Sequence, residues 1–423
     1  MKLALLGSDD EAMALVRAAL DSGRYELVWA GELADRANAA QHLPEIDAAA
    51  SGDWESIAGG LADLVVVAVD GDAPRRADQL RALVQAGVAA CVTNCVALGP
   101  IVGYELDMNR VETEAPLVPY LPTRLHPAIA RISRLVADGG TSQITFERGF
   151  ATTQAKAVTE ALARDVDVVR AMAGDVTRLS AAGVPQAAAA PDRDFSGLNV
   201  YLTTVLGKTI RWSVDRQLPA GQGRITIESP SSRVSLSMTD SVWFVTTRHS
   251  PTAPNEASAE LSEEPFPAWN APQAMLVPLE AQLAGKPVAP TWLDAARAAD
   301  VADMVEVSLR RSRTIDIYNE SYNEQGTFKG LMGMAGCGLL LVALFTLFAA
   351  ALGEKTARFL ELEALAAVFG YWPYALLVVL VAFLLLQLLR YIVPPPREKR
   401  GEQSSGKQSE GGPDDSEAPY ASS

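Results

Sequence analysis

The side chains best suited to chemistry are scattered along this sequence. Its three histidines, His42, His126 and His249, are far apart, so no metal-ligand spacing can be read and no metal site is expected. Of the three cysteines, Cys91 and Cys95 share one short segment and Cys337 stands alone in an apolar run. That pattern gives no disulfide framework and fits a reducing compartment, with Cys91 and Cys95 as free core thiols. No nucleophile elbow supports Ser-His-Asp catalysis. Charge is the strongest bulk signal: 36 Lys and Arg against 51 Asp and Glu leave a net charge of -15. A chain so acidic repels a phosphate backbone, which excludes a nucleic-acid partner.

The elements that must hold any site are legible as two kinds. Residues 2–6 form a short apolar strand ending at Gly7, and Ser8-Asp9-Asp10-Glu11 then opens a helix with caps suited to its positive end. Further strands follow at 25–30, at 64–69 (a continuous β-branched run), at 88–94 and at 117–121, with an amphipathic helix at 74–86. Strand–helix alternation of this kind predicts a doubly wound parallel sheet, a Rossmann-type domain over 1–122. Beyond it the pattern changes. Helices at 127–137 and 155–172 surround a strand at 143–147, and several short strands separated by Gly and Pro run from 199 to 238. These predict an α+β domain over 123–320 built on an open antiparallel sheet, with an irregular loop at 251–272 and a closing helix at 292–312. Trp212, Trp243 and Trp292 read as packing residues.

Two segments stand apart. Residues 331–352 carry no charge, and residues 371–393 have only Gln387 as a strongly polar interior residue before Arg390. Each has the roughly 20 residues needed to cross about 30 Å of hydrocarbon as a helix. Tyr371, Trp372 and Tyr374 resemble an interfacial aromatic belt. Arg310, Arg311, Arg313 and Lys329 precede the first segment and Arg397, Lys399 and Arg400 follow the second, so the positive-inside bias predicts both termini in the cytoplasm. The expectation is a two-span hairpin at 331–393 in an inner or plasma membrane, acting as an anchor in the lipid bilayer, with a disordered tail at 394–423.

The order of segments resembles the Gfo/Idh/MocA oxidoreductase family, of which glucose–fructose oxidoreductase and inositol dehydrogenase are typical. DLVVVAV followed by RADQLRALVQAGVAACVTNCVAL is similar to that family's third strand, helix and fourth strand. PLVPYLPTRLHPAIARI resembles its Arg-x-His-Pro crossover, and ALARDVDVVRAMAGDVTRLSAA the helix that bears its catalytic histidine. The resemblance implies NAD or NADP at Gly7, Ser8, Asp9, Glu32 and Val69, and a sugar-like substrate near Arg124 and His126. It also implies self-association through the open sheet.

Several positions depart from the family's pattern. Where the family has a G-x-G-x-x-G turn, Gly7-Ser8-Asp9-Asp10-Glu11-Ala12 keeps only the first glycine, and Asp9 brings a carboxylate to the phosphate position. Thr93-Asn94-Cys95 replaces Glu-Lys-Pro, so Asn94 stands where a lysine helps proton transfer. Glu160 takes the expected Asp position and Arg164 the expected His position, with Asp167 as a second acid one turn on. Arginine is no general base near neutral pH. The first expectation is therefore a membrane-anchored, catalytically degenerate relative that binds a ligand or partner. An active NAD(P)-dependent oxidoreductase acting on a sugar or cyclitol is the second, and a self-associating membrane scaffold the third.

Overall fold

The computed structural model describes residues 1–318 except 139, 141–142, 184–193, 231, 240–241 and 250–260, together with 345, 346, 348, 352 and 355. Met1–Asn319 is one compact unit and Glu320–Ser423 another. Nearly all of the predicted hairpin and the whole predicted tail lie outside the described residues. Among the described residues no helix is long and apolar enough to cross a membrane.

The first half runs β1 (Lys2–Leu6), α1 (Asp10–Asp21), β2 (Glu26–Gly31), α2 (Arg36–His42), α3 (Glu45–Ala48), β3 (Leu64–Ala68), α4 (Ala73–Gln85), β4 (Ala89–Thr93), α5 (Gly99–Thr113) and β5 (Leu117–Pro119). Its five strands are parallel in the order β2-β1-β3-β4-β5. The strand order reverses between β1 and β3, and ligands of such sheets bind beyond the strand C-termini at that reversal. β3 is buried at every position, as its Leu-Val-Val-Val-Ala sequence requires of a central strand covered on both faces.

The second half runs α6 (Pro127–Ala137), β6 (Gln143–Arg148), α7 (Ala155–Ala173), β7 (Val176–Ala182), β8 (Asn199–Thr204), β9 (Thr209–Val214), β10 (Gly223–Glu228), β11 (Ser232–Met238), β12 (Phe244–His249), β13 (Leu261–Pro265), α8 (Ala271–Leu283), α9 (Trp292–Arg311) and β14 (Ile315–Asp316). Nine strands form one sheet in the order β13-β12-β11-β10-β6-β9-β8-β7-β14. The sheet is mixed and not purely antiparallel as expected, because β6 and β9 pair in parallel at its centre. Tight turns favour antiparallel neighbours, but β6 enters the sheet after a long connection that no hairpin constrains. The loop expected at 251–272 also needs correction. Its residues 261–265 form β13 on β12, and α8 begins at Ala271, capped by the Asn270 side chain.

Helices cover one face of this sheet. Ile144, Phe146, Trp212, Ile225 and Leu236 point into the core with α6, α7 and α9. The other face carries Thr145, Glu147, Tyr201, Arg211, Arg224, Thr226, Ser235 and Thr246, which alternate with those core positions. α8 returns to the first half, where Met275, Leu276 and Leu279 pack with Leu15 and Val16 of α1.

Candidate functional site

The reversal point is built from the ends of β1, β3 and β4 and the start of α1. Gly7 has a φ of +81°, and a Cβ there would lie 2.6 Å from the Arg76 guanidinium and 2.8 Å from the Asp70 carboxylate. Only glycine suits both the conformation and the space. Behind it the Ser8 N–H donates to Asp70 Oδ2 at 2.7 Å. Asp9 caps α1: its Oδ1 accepts from the Ala12 N–H at 2.7 Å, and its Oδ2 accepts from the Thr93 hydroxyl at 2.7 Å. Two backbone donors at the helix start, the natural ligands of a phosphate, are thus engaged by the chain's own carboxylates.

Glu32 follows β2 in a left-handed conformation, with a φ of +54°. Its carboxylate accepts from Arg75 at 2.5 Å, from Arg76 at 2.6 Å and from Gln79 at 2.9 Å. Burial tends to raise its pKa, but the bonds from Arg75 and Arg76 outweigh this and hold it below the usual carboxylate value. Arg76 is 5 % exposed and also binds Asp70 at 3.0 Å. A recess of about 320 Å³ is lined by Glu32, Leu33, Asp70, Asp72, Arg75 and Arg76, beside the end of β2. Val69, at the end of β3, is buried, and its carbonyl accepts from Asn94 Nδ2 at 3.5 Å.

Asn94 adopts a left-handed conformation just past β4, with a φ of +47°. Its Oδ1 accepts from Arg164 of α7 at 3.0 Å, and Arg164 also forks onto Glu11 of α1 at 2.8 and 3.2 Å. Glu11, Asn94 and Arg164 thereby join the two halves of the unit across the reversal point. Burial raises the Glu11 pKa, and Arg164 partly opposes that rise. Of the positions expected to bear chemistry, Asn94 and Arg164 meet. Glu160 does not join them; its ion pair is with Lys156 on the same helix, at 3.9 Å.

Asp167 is 1 % exposed and accepts from Arg124 at 2.8 Å. Burial pushes its pKa up to about 6, with Arg124 acting in the opposite direction. Arg124 reaches Asp294 at 3.3 Å, and Arg170 ties Asp294 to Asp175 at 3.1 and 2.7 Å. Arg124 and Asp167 therefore belong to an ionic junction among the crossover, α7 and α9. His126 caps α6, its Nδ1 accepting from the Ala128 N–H at 3.1 Å, and stacks on Trp243 with ring centres 3.9 Å apart. Phe266 and Trp269 meet its edges, and burial lowers its pKa to about 4. It is a neutral packing residue near neutral pH. Cys91 and Cys95 are buried free thiols, and burial drives the Cys95 pKa up to about 12. Among the described residues no group of three metal-ligating side chains occurs.

Asp70, Arg75, Arg76 and Thr93 also build this site, although no motif in the sequence marks them. The pair Arg75-Arg76 in the first turns of α4, close after an acid at the end of β3, was the available signal.

The sequence matches no known family pattern and no curated protein. Many solved structures share its fold. One is the UDP-N-acetylglucosamine 3-dehydrogenase of Acidithiobacillus ferrooxidans, at 18% identity, covering 74% of this chain and 98% of that one, with a TM-score of 0.58. Another is a myo-inositol dehydrogenase of Corynebacterium glutamicum, at 17% identity, 76% and 99% coverage and a TM-score of 0.57. A levoglucosan dehydrogenase in complex with NADH matches at 12% identity, 76% and 100% coverage and a TM-score of 0.59. The fold is that of these dehydrogenases. The match covers the Rossmann-type half and the sheet half together.

Proposed function

We propose that this chain is a membrane-tethered protein of the Gfo/Idh/MocA type whose cleft binds a ligand or partner and no longer carries NAD(P)-dependent hydride transfer. The observation that carries this reading is the engagement of the Ser8 and Ala12 N–H groups by Asp70 and Asp9. A pyrophosphate arriving there has to displace or approach two carboxylates. Like charges about 4 Å apart at an effective dielectric near 20 repel by roughly 4 kcal/mol. A second support is the pairing of Arg164 with Glu11 and Asn94, which leaves that cluster without a lysine or a histidine to move a proton.

An active dehydrogenase is the alternative, favoured by the NADH complex of the levoglucosan enzyme. The scaffold reading would use the open sheet face, which is hydroxyl-rich and ionic. Leu261 and Tyr201, 58 % and 44 % exposed, are the exposed large apolar side chains on it among the described residues. Self-association there would depend on hydrogen bonds and ion pairs rather than on an apolar patch.

The tether rests on the uncharged segment 331–352 and its partner 371–393, with the cleft-bearing unit and the C-terminus in the cytoplasm. The test is turnover by the full chain in detergent, supplied with NADH or NADPH and oxidised sugars, or with NAD+ or NADP+ and sugars and cyclitols. We expect no substrate-dependent change in cofactor absorbance. Robust turnover with any of these substrates makes the protein an active enzyme.

A further inference from the structure

We infer that the end of α9 is a docking surface for anionic lipid headgroups. The inference rests on the membrane tether proposed above. Arg310 and Arg311 close α9, Arg313 follows one residue beyond its cap, and all three are exposed. Among the described residues no ion pair or side-chain hydrogen bond engages any of them. That is unusual in this unit, where most arginines, Arg76, Arg124, Arg148 and Arg170 among them, are bound to carboxylates. The acids nearest in sequence are Glu306, one turn earlier, and Asp316, which is paired with Arg178 at 2.9 Å.

The backbone beneath the cluster is fixed. Ser312 caps the helix in a left-handed conformation, and Ser308 Oγ donates to the Arg313 carbonyl at 2.8 Å. The Ala181 N–H of β7 donates in turn to Ser308 Oγ at 3.0 Å, and β14 then pairs with β7. The arginines are therefore displayed from the sheet edge and not from a loose tail, so docking has little backbone left to order. A helix dipole accounts for a cation in the last turn; it does not require Arg313 beyond the cap.

Position along the chain selects the partner. From Tyr318 to the first residue of the apolar segment, residue 331, only residues 319–330 intervene, a reach of at most about 47 Å when fully extended. A unit tethered so closely meets a lipid surface at every encounter. With a net charge of -15 the chain as a whole is repelled by an anionic leaflet, so contact has to be made through a local cation cluster. Each arginine near such a surface contributes about a fivefold preference, and three contribute on the order of a hundredfold, within a Debye length of the headgroups.

The test uses the full chain in nanodiscs of phosphatidylcholine alone, or with about a third phosphatidylserine. Limited trypsin cleavage after Arg310, Arg311 and Arg313 is followed by mass spectrometry, with exposed Arg216 as the internal reference. We expect cleavage at the cluster to slow by tenfold or more in the anionic discs relative to Arg216, and high salt to abolish the difference. Equal rates in the two lipids, with the chain retained in membranes after an alkaline carbonate wash, overturn the docking surface alone. Release of the chain by that wash overturns the tether and the docking surface together.

Discussion

Replacing Asp9 with Asn should raise the affinity for NAD+ by up to about a thousandfold. That figure follows from removing one carboxylate about 4 Å from a bound phosphate, worth roughly 4 kcal/mol at an effective dielectric near 20. Asparagine is chosen because it caps helices as well as aspartate does and keeps an oxygen for the Ala12 N–H. The Thr93 hydroxyl can rotate to accept from the new amide, so that contact changes polarity without being lost. The thermal midpoint should stay close to that of the parent protein, while a cofactor titration should move from no measurable binding into the micromolar-to-submillimolar range. A D9N variant that binds no better than the parent would show that the Asp9 charge is not what keeps the cofactor out.

Replacing Arg148 with Met should cost about 3 to 5 kcal/mol of stability, because it strands a buried acid. Asp165 is 1 % exposed and accepts from Arg148 Nε at 3.1 Å and from Trp212 Nε1 at 2.8 Å, so removing Arg148 takes away its only cationic partner among the described residues. In a unit of this size, where 1 kcal/mol moves the midpoint of thermal unfolding by about 1.5 °C, the midpoint should fall by roughly 5 to 8 °C. Two controls fix the cause. Arg178 and Asp316 form an ion pair that is 65 % and 58 % exposed, so replacing Arg178 with Met should change stability by no more than about 1 kcal/mol. Replacing Asp165 with Leu alongside the Arg148 change should recover much of the loss, since an apolar pair leaves no charge unmatched. A drop as large in the double variant as in the single one would mean that packing, and not the stranded charge, sets the cost.

The parallel half of the fold was legible because its strands announce themselves locally. The run Leu64–Ala68 is β-branched and buried throughout, and Asp9 caps α1 as its position after β1 suggests. Elements with mixed signals were missed. α8 carries Pro278 inside it, and α5 opens with Gly99-Pro100 and has a weakly sided distribution of apolar residues. The parallel pairing of β6 with β9 depends on a choice between distant segments that no local turn makes. The site shows the same division. Asp9, Asn94 and Arg164 stand out in the sequence as unusual residues at chemistry-bearing positions. Their partners do not, because Thr93 lies 84 residues from Asp9 and Glu11 lies 153 residues from Arg164. Arg124 joins an ionic junction and His126 an aromatic stack, and both depend on where Asp167 and Trp243 come to lie, which no local pattern states.

In the proposed function the carboxylates of Asp9 and Asp70, beside the start of α1, keep a dinucleotide out. The most direct measurement is a calorimetric titration of the full chain in detergent with NADH and NADPH, from micromolar to millimolar concentration. No saturable heat is expected over that range, because Asp9 and Asp70 hold the backbone donors that a pyrophosphate needs. Saturable binding in the micromolar range would contradict the claim and restore the active dehydrogenase as the leading reading.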